Sequence, residues 1–299
     1  MQIPDMRGRT VLVTGASDGL GLASATALAR AGARVLMTSR DAEKGERALA
    51  TVREAVPAAQ AEVVPLDLAD LGRVAAAADD VRSRADSLDV LLLNAGVMMP
   101  PERRETADGF ELQLGTNHLG HFALAARLLP LLLPVAGSRV VTVSSLAARA
   151  GAVDLADLQW QSRPYDRQPA YGASKLANLL FAFELERRLR AAGTGTASLA
   201  AHPGVSGTNL MSTMQLPRVA ERVSKLLLAG PDQSARPQLY AATATAASGG
   251  EYYGPKGPGE VRGRTVALAT VPPAARDRAT AEALWTRSEE LTGTRFDLG

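Results

Sequence analysis

The sequence predicts an α/β protein, a doubly wound parallel sheet with helices on both faces, spanning residues 1–299 as one domain. Three observations predict it. Short apolar runs alternate with alanine-rich stretches of helical character over most of the chain, the pattern of strand–helix–strand units. The runs are continuous, as in Val11-Leu-Val13, Val90-Leu-Leu-Leu93 and Val140-Val-Thr-Val143, which suits parallel strands buried on both faces. A glycine-rich turn separates the first run from the first helical stretch.

Thr10–Thr14 reads as the first strand and Leu20–Ala31 as the first helix, closed by Gly32. Arg34–Thr38 is the second strand, and Asp41 caps a helix running to about Ala55. Ala61–Leu66, Leu88–Leu93, Ser138–Val143 and Thr196–Ala201 supply four more strands. Helices are expected over Asp70–Arg84, Ala107–Leu133, Pro169–Ala192, parts of Gln215–Ala247, and Ala274–Thr292. Glu251–Gly263, rich in glycine, proline and charge, reads as an ordered loop before a short last strand or coil.

Composition excludes several functions. With 46% hydrophobic and 21% charged residues the chain can bury a sizeable core. A net charge of +2, dispersed along the chain, argues against a nucleic-acid binder. There is no cysteine, so disulfides and thiolate chemistry are absent, and three scattered histidines make a poor metal site. Met1–Thr10 has no signal-peptide core, and the longest apolar stretch, Leu124–Ala136, is broken by Arg127, Pro130 and Pro134. A soluble, cytoplasmic protein with no membrane span is expected, with a homo-oligomer left open.

The turn is Thr14-Gly15-Ala-Ser17-Asp18-Gly19-Leu20-Gly21, with G-x-x-x-G-x-G spacing. Gly15 permits the tight turn, Gly19 lets backbone N–H groups approach a pyrophosphate, and Gly21 lets the helix lie close to the sheet. The helix N-terminus then faces the phosphates. A tight turn without ligand is the bland alternative. Tyr171 and Lys175, four apart on a helix, share one face. A free tyrosine titrates near ~10, and a neighbouring ammonium is expected to lower that value and make the phenol a proton shuttle. Ser144 and Ser145 end the fifth strand, at the sheet edge where open α/β folds bind ligands. No G-x-S-x-G elbow surrounds them, which excludes a serine hydrolase. Asn117 sits inside a helix and, followed by Gly120, suggests a kink, with His118 and His121 as packing residues.

Taken in order, Thr14-Gly-x-x-x-Gly-x-Gly21, Asn94-Ala95-Gly96, Asn117, Ser144-Ser145, Tyr171-x-x-x-Lys175 and Pro203-Gly-x-x-x-Thr208 resemble the short-chain dehydrogenase/reductase family, with its Rossmann fold. Asn117-His-Leu-Gly-His-Phe122, His202-Pro-Gly-Val205 and Tyr252-Tyr-Gly-Pro255 look like its retinol-dehydrogenase-like and WW-domain-oxidoreductase-like branch. The resemblance implies an oxidoreductase moving hydride between a nicotinamide cofactor and a carbonyl or alcohol. It assigns Tyr171 the proton transfer, Lys175 the tyrosine and a ribose hydroxyl, Ser145 the substrate oxygen (Ser144 as runner-up), and Asn117 a relay water. It places Asp67 and Leu68 at the adenine, Asn94-Ala95-Gly96 at the adenine ribose, and Pro203, Gly204, Val205 and Thr208 at the nicotinamide. The usual second asparagine is replaced by Leu93.

The end of the second strand carries Ser39 and Arg40 where an NAD-selective site carries an acid. Ser39 admits a 2′-phosphate and Arg40 can grip it, so NADP(H) is the expected cofactor. Asp18 stands where many NADP-preferring relatives have a basic residue, and Asp41 could hold Arg40 away. Residues 206–230, with Met211, Met214, Leu216, Val219 and Val223, read as a substrate cover for a lipophilic molecule or as a core-facing helix. In the long 146–170 interval, Trp160 either lines the pocket or anchors the loop. A non-catalytic NADP(H)-binding regulator and an isomerase or dehydratase are the competing functions.

Overall fold

The computed structural model describes residues 2–205 and 229–298. Its strands are β1 (Thr10–Val13), β2 (Arg34–Ser39), β3 (Ala61–Pro65), β4 (Val90–Leu93), β5 (Arg139–Val143), β6 (Ala197–Ala201), β7 (Tyr252–Pro255) and β8 (Val266–Leu268). Among the described residues they form one sheet in the order β3-β2-β1-β4-β5-β6-β7-β8. All pairs are parallel except β7–β8. The order reverses between β1 and β4, which opens a crevice at the carboxyl ends of those strands.

The helices are α1 (Gly19–Arg30), α2 (Ala42–Ala55), α3 (Leu71–Arg84), α4 (Leu112–Leu114), α5 (Gly120–Leu132), α6 (Arg167–Ala191), α7 (Pro231–Ser234), α8 (Arg236–Thr243) and α9 (Arg278–Thr292). Alternate strand residues feed opposite faces. Val11 and Val13 join the core under α1, α2 and α8, whereas Leu12 joins the core under α3 and α5. Leu36 and Leu91 likewise face away from Val35 and Leu92, so both faces are buried and neither shows alternating polarity. The C-terminal helix α9 seats on α5 and α6 through Phe122, Phe181 and Trp285, with the Phe181 and Trp285 rings stacked 5.9 Å apart.

Two expectations are corrected. The helix anticipated over 107–133 is not continuous. Residues 101–111 form loop and turn, Glu111 caps α4 by accepting the Gln113 and Leu114 N–H groups, and a π-helical turn covers Gly115–Leu119 before α5 begins. The apolar periodicity of this stretch hid the cap, and the kink expected near Asn117 takes the form of that π turn. The stretch read as loop over Glu251–Gly263 contains β7, which extends the parallel sheet beside β6. Glycine and proline masked a strand that Tyr252 and Tyr253 anchor by burial. Of the 215–247 helical stretch, the described part gives α7 and α8 and stops at Thr243.

Candidate active site

The carboxyl ends of β1, β2, β4, β5 and β6 open onto one cleft of about 1360 Å³. Its wall includes Gly15, Ser17, Asp18, Gly19, Leu20 and Gly21 from the glycine-rich turn, and Ser39 and Arg40 from the end of β2. Asp67, Leu68, Asn94, Ala95 and Gly96 follow, then Ser145, Tyr171, Lys175, Pro203, Gly204 and Val205. Residues far apart in sequence thus converge as expected. Thr208 and the segment 206–228 lie outside the described residues. Asn117 is buried behind the wall.

At the glycine-rich turn, Asp18 caps α1 by accepting the Gly19 N–H, which settles the use of a carboxylate there. Gly21 allows no substitute: a Cβ would stand 2.0 Å from the Gly15 carbonyl oxygen. Thr14 is the hub beneath. Its hydroxyl oxygen accepts the N–H groups of Asn94 and Ala95, and Asn94 donates back to the Thr14 carbonyl at 2.8 Å. With Leu93 buried in the sheet, one asparagine does this tying, and Gln238 on α8 donates to its side-chain oxygen at 2.9 Å.

His121 lies 2.9 Å from the Thr14 hydroxyl through Nε2 and 3.0 Å from the Asn117 carbonyl through Nδ1. A carbonyl only accepts, so Nδ1 carries the proton and Nε2 accepts from Thr14. Burial holds His121 down to about 4, hence neutral. The Asn117 amide is occupied with the Val97 backbone on one side and Ser174 on the other. Asn117 therefore shapes the wall through Val97, and its carbonyl is shared with His121.

At the reaction end, Tyr171 is 7% exposed and its phenol stands beside the Ser145 hydroxyl. Burial raises its pKa above the ordinary value, opposed by that hydroxyl. Lys175 is fully buried, and desolvation brings it down to about 8. The expected lowering of the tyrosine by the lysine is corrected here. Nζ sits 5.8 Å from the ring centroid and donates to the Val143 carbonyl, while desolvation dominates both groups. Both serines line the cleft, but the Ser144 hydroxyl donates to the Lys175 carbonyl at 2.7 Å, so the Ser145 hydroxyl is the one beside Tyr171. Trp160 is absent from the cleft wall and packs edge-on to Tyr165 with Arg163 over its ring, so it anchors the 146–170 loop.

At the far end, the Ser39 hydroxyl donates to the Asp41 carbonyl. The Asp41 carboxylate accepts the Lys44 N–H, which lowers its pKa, and does not hold Arg40. Arg40 is exposed and pairs with no other described residue. Lys44 and Arg47 share this wall and were not anticipated, although their i, i+4 and i, i+7 spacing from Arg40 was available to find them. Gln238 and the tying role of Thr14 were also missed, because their partners are remote in sequence.

Residues 9–217 match the model of the short chain dehydrogenase family. The chain belongs to that family. This short-chain dehydrogenase is 39% identical to human retinol dehydrogenase 12 over 99% of its own length and 89% of the relative's. It is 38% identical to mouse polyprenol dehydrogenase over 97% and 86%. A crystal structure of an uncharacterized protein from Mycobacterium paratuberculosis matches with TM-score 0.83 and 45% identity, covering 99% of this chain and 97% of that one. The short-chain dehydrogenase is thus an oxidoreductase of the retinol-dehydrogenase-like branch, and its chemistry is hydride transfer with a nicotinamide cofactor.

The residues present fit such a cofactor. The cleft runs from Arg40 at the end of β2 to Tyr171 and Lys175 on α6, with the α1 N-terminus on its wall. Thr116 Oγ1 is buried on that wall with no hydrogen-bond partner, an orphan that a ligand would satisfy. Lys175 reaches the cleft with a three-proton ammonium. Among the described residues, no helix is long and apolar enough to cross a membrane, and no group of three His, Cys, Asp or Glu could hold a metal ion.

Proposed function

We propose that this short-chain dehydrogenase reduces a lipophilic aldehyde or ketone with NADPH, Tyr171 donating the proton. The observation that carries the reading is the buried Tyr171 phenol beside Ser145 on the cleft wall, with Lys175 Nζ 5.8 Å from its ring centroid and its pKa raised by burial. A phenol held protonated at neutral pH can serve as the general acid of a carbonyl reduction. NADPH, held by the residues of the glycine-rich turn and by Lys175, would supply the hydride for the carbonyl carbon. Ser145 holds the carbonyl oxygen and polarises it, and Tyr171 gives that oxygen its proton. Lys175, the nearest cation, stabilises the phenolate left behind and holds a ribose hydroxyl. Asn117 supports the proton path through its carbonyl.

The preference for NADP(H) rests on the far end of the cleft. Ser39 is neutral there, Asp41 is engaged in capping α2, and Arg40 is open to a 2′-phosphate with Lys44 and Arg47 beside it. Asp67, Leu68 and Asn94-Ala95-Gly96 take the adenosine, and Pro203, Gly204, Val205 and Thr208 take the nicotinamide. Met98, Met99, Leu146 and Pro203 give the open wall an apolar, adaptable lining. Relatives named for retinol and polyprenol suit that lining.

The test is NADPH oxidation across aldehydes of increasing chain length, repeated with NADH. Turnover rising with apolar length supports the reading. Tight NADPH binding with no turnover on the whole panel replaces it with a cofactor-binding regulator.

A further inference from the structure

Glu260 stands outside this chemistry, yet its carboxylate gathers donors from three separate parts of the chain. Oε2 accepts His202 Nε2 at 2.9 Å and forms an ion pair with Arg149 Nη2 at 2.6 Å. Oε1 accepts both the backbone N–H of Thr270 at 2.9 Å and its hydroxyl at 2.7 Å. His202, at the end of β6, is fully buried and accepts the Gly204 N–H through Nδ1 at 3.1 Å, so Nε2 carries its proton and donates to Glu260. Arg149 belongs to the 3-10 turn Leu146–Ala150 that Ser145 caps, and it also donates to the Gly259 carbonyl.

The turn that carries Glu260 lies flush against the turn after β6. Val205 N–H donates to the Val261 carbonyl at 2.8 Å, and a Cβ on Gly204 would stand 2.3 Å from that same oxygen. Glu260 itself has φ of 60°, a left-handed backbone that a side chain adopts at a cost. Such a conformation persists where surrounding contacts over-determine it, and here three hydrogen bonds and an ion pair do so.

The geometry points to Glu260 as a positioning residue that clamps the two walls of the reaction end together. One wall carries Ser145 through Arg149, and the other carries Pro203-Gly204-Val205 through His202. The carboxylate sets the distance between the site of the substrate oxygen and the turn that faces the nicotinamide. This assignment rests on reading that turn as the nicotinamide contact.

Two measurements test it. The first is amide hydrogen exchange at Gly204 and Val205 in the protein without cofactor, for wild type, Glu260→Gln and Arg149→Met. A glutamine amide cannot keep all four contacts, so loss of one hydrogen bond predicts about tenfold faster exchange at both amides in Glu260→Gln. Arg149→Met should show a smaller rise, and β1 and β4 amides should keep wild-type rates in both variants. Wild-type exchange at Gly204 and Val205, or a uniform rise that includes β1 and β4, overturns the clamp.

The second measurement compares affinity for NADPH with affinity for 2′,5′-ADP, which lacks nicotinamide. Glu260→Gln should weaken NADPH by about tenfold, on the same one-bond argument, and leave 2′,5′-ADP unchanged. Loosened amides with an unchanged ratio of the two affinities overturn the role at the nicotinamide. The exchange experiment needs neither turnover nor cofactor, so failure of the reductase reading, seen as absent wild-type turnover, is separately visible.

Discussion

Lys175 Nζ lies 5.8 Å from the Tyr171 ring centroid yet spends its hydrogen bond on the Val143 carbonyl, 3.2 Å away at the end of β5. The ammonium is thus buried beside a neutral phenol, and desolvation lowers its pKa from 10.5 to about 8. In that window the unfolded chain binds more protons than the folded one, so this group's destabilisation is full below 8 and fades as pH rises toward 10.5. The wild type should therefore gain roughly 2 kcal/mol relative to Lys175→Met between about pH 7.5 and pH 9.5. Urea unfolding of both proteins at the two pH values measures it. A difference that stays constant contradicts a buried, charged Lys175.

All three histidines of the chain are buried and neutral: His118 is held at about 3, and His121 and His202 at about 4. Their folded pKa values lie below 6.5, so stability is full above that pH and is lost as pH falls toward 4. At about pH 5 each should cost roughly 2 kcal/mol. Unfolding midpoints should drop steeply between pH 6.5 and 5, above the range in which the carboxylates titrate. A flat profile there would show that all three imidazoles take up their protons in the native state as readily as in the unfolded chain, which contradicts their burial as neutral groups.

Arg40→Ala should raise the KM for NADPH far more than that for NADH. A charge-assisted contact of ~1.5–3 kcal/mol corresponds to a ten- to hundredfold loss. Steady-state kinetics with both cofactors decide it. Equal effects on the two, or a wild type that prefers NADH, would shift the 2′-phosphate contact to Lys44 and Arg47 or remove it.

Much of this arrangement was legible in the sequence. Continuous apolar runs gave the parallel strands through β6 because both faces of the sheet are buried, and Gly15, Tyr171, Lys175 and Ser145 converge where their order implied. The same reading lost β7, where Gly254 and Pro255 outweighed the buried tyrosines. It merged residues 107–111 into a helix because Glu111 looks like any helical glutamate until its carboxylate is seen capping α4. What single-sequence reasoning does not reach is the support beneath the cleft. Thr14 with His121, Gln238 with Asn94 and Glu260 with His202 are pairs joined across 58 to 144 residues, and no local spacing announces them. The sign of the Tyr171 shift was also out of reach, since it depends on how deeply α6 buries the phenol.

The most direct test of the central claim is Tyr171→Phe, followed by single-turnover NADPH oxidation with an apolar aldehyde and by NADPH titration of the same protein. The phenol moves the proton and does not hold the nucleotide, so the rate should fall by about 10²–10⁴-fold while NADPH affinity stays within about threefold of wild type. Retention of more than about half the wild-type rate, against that range, would contradict the role of Tyr171.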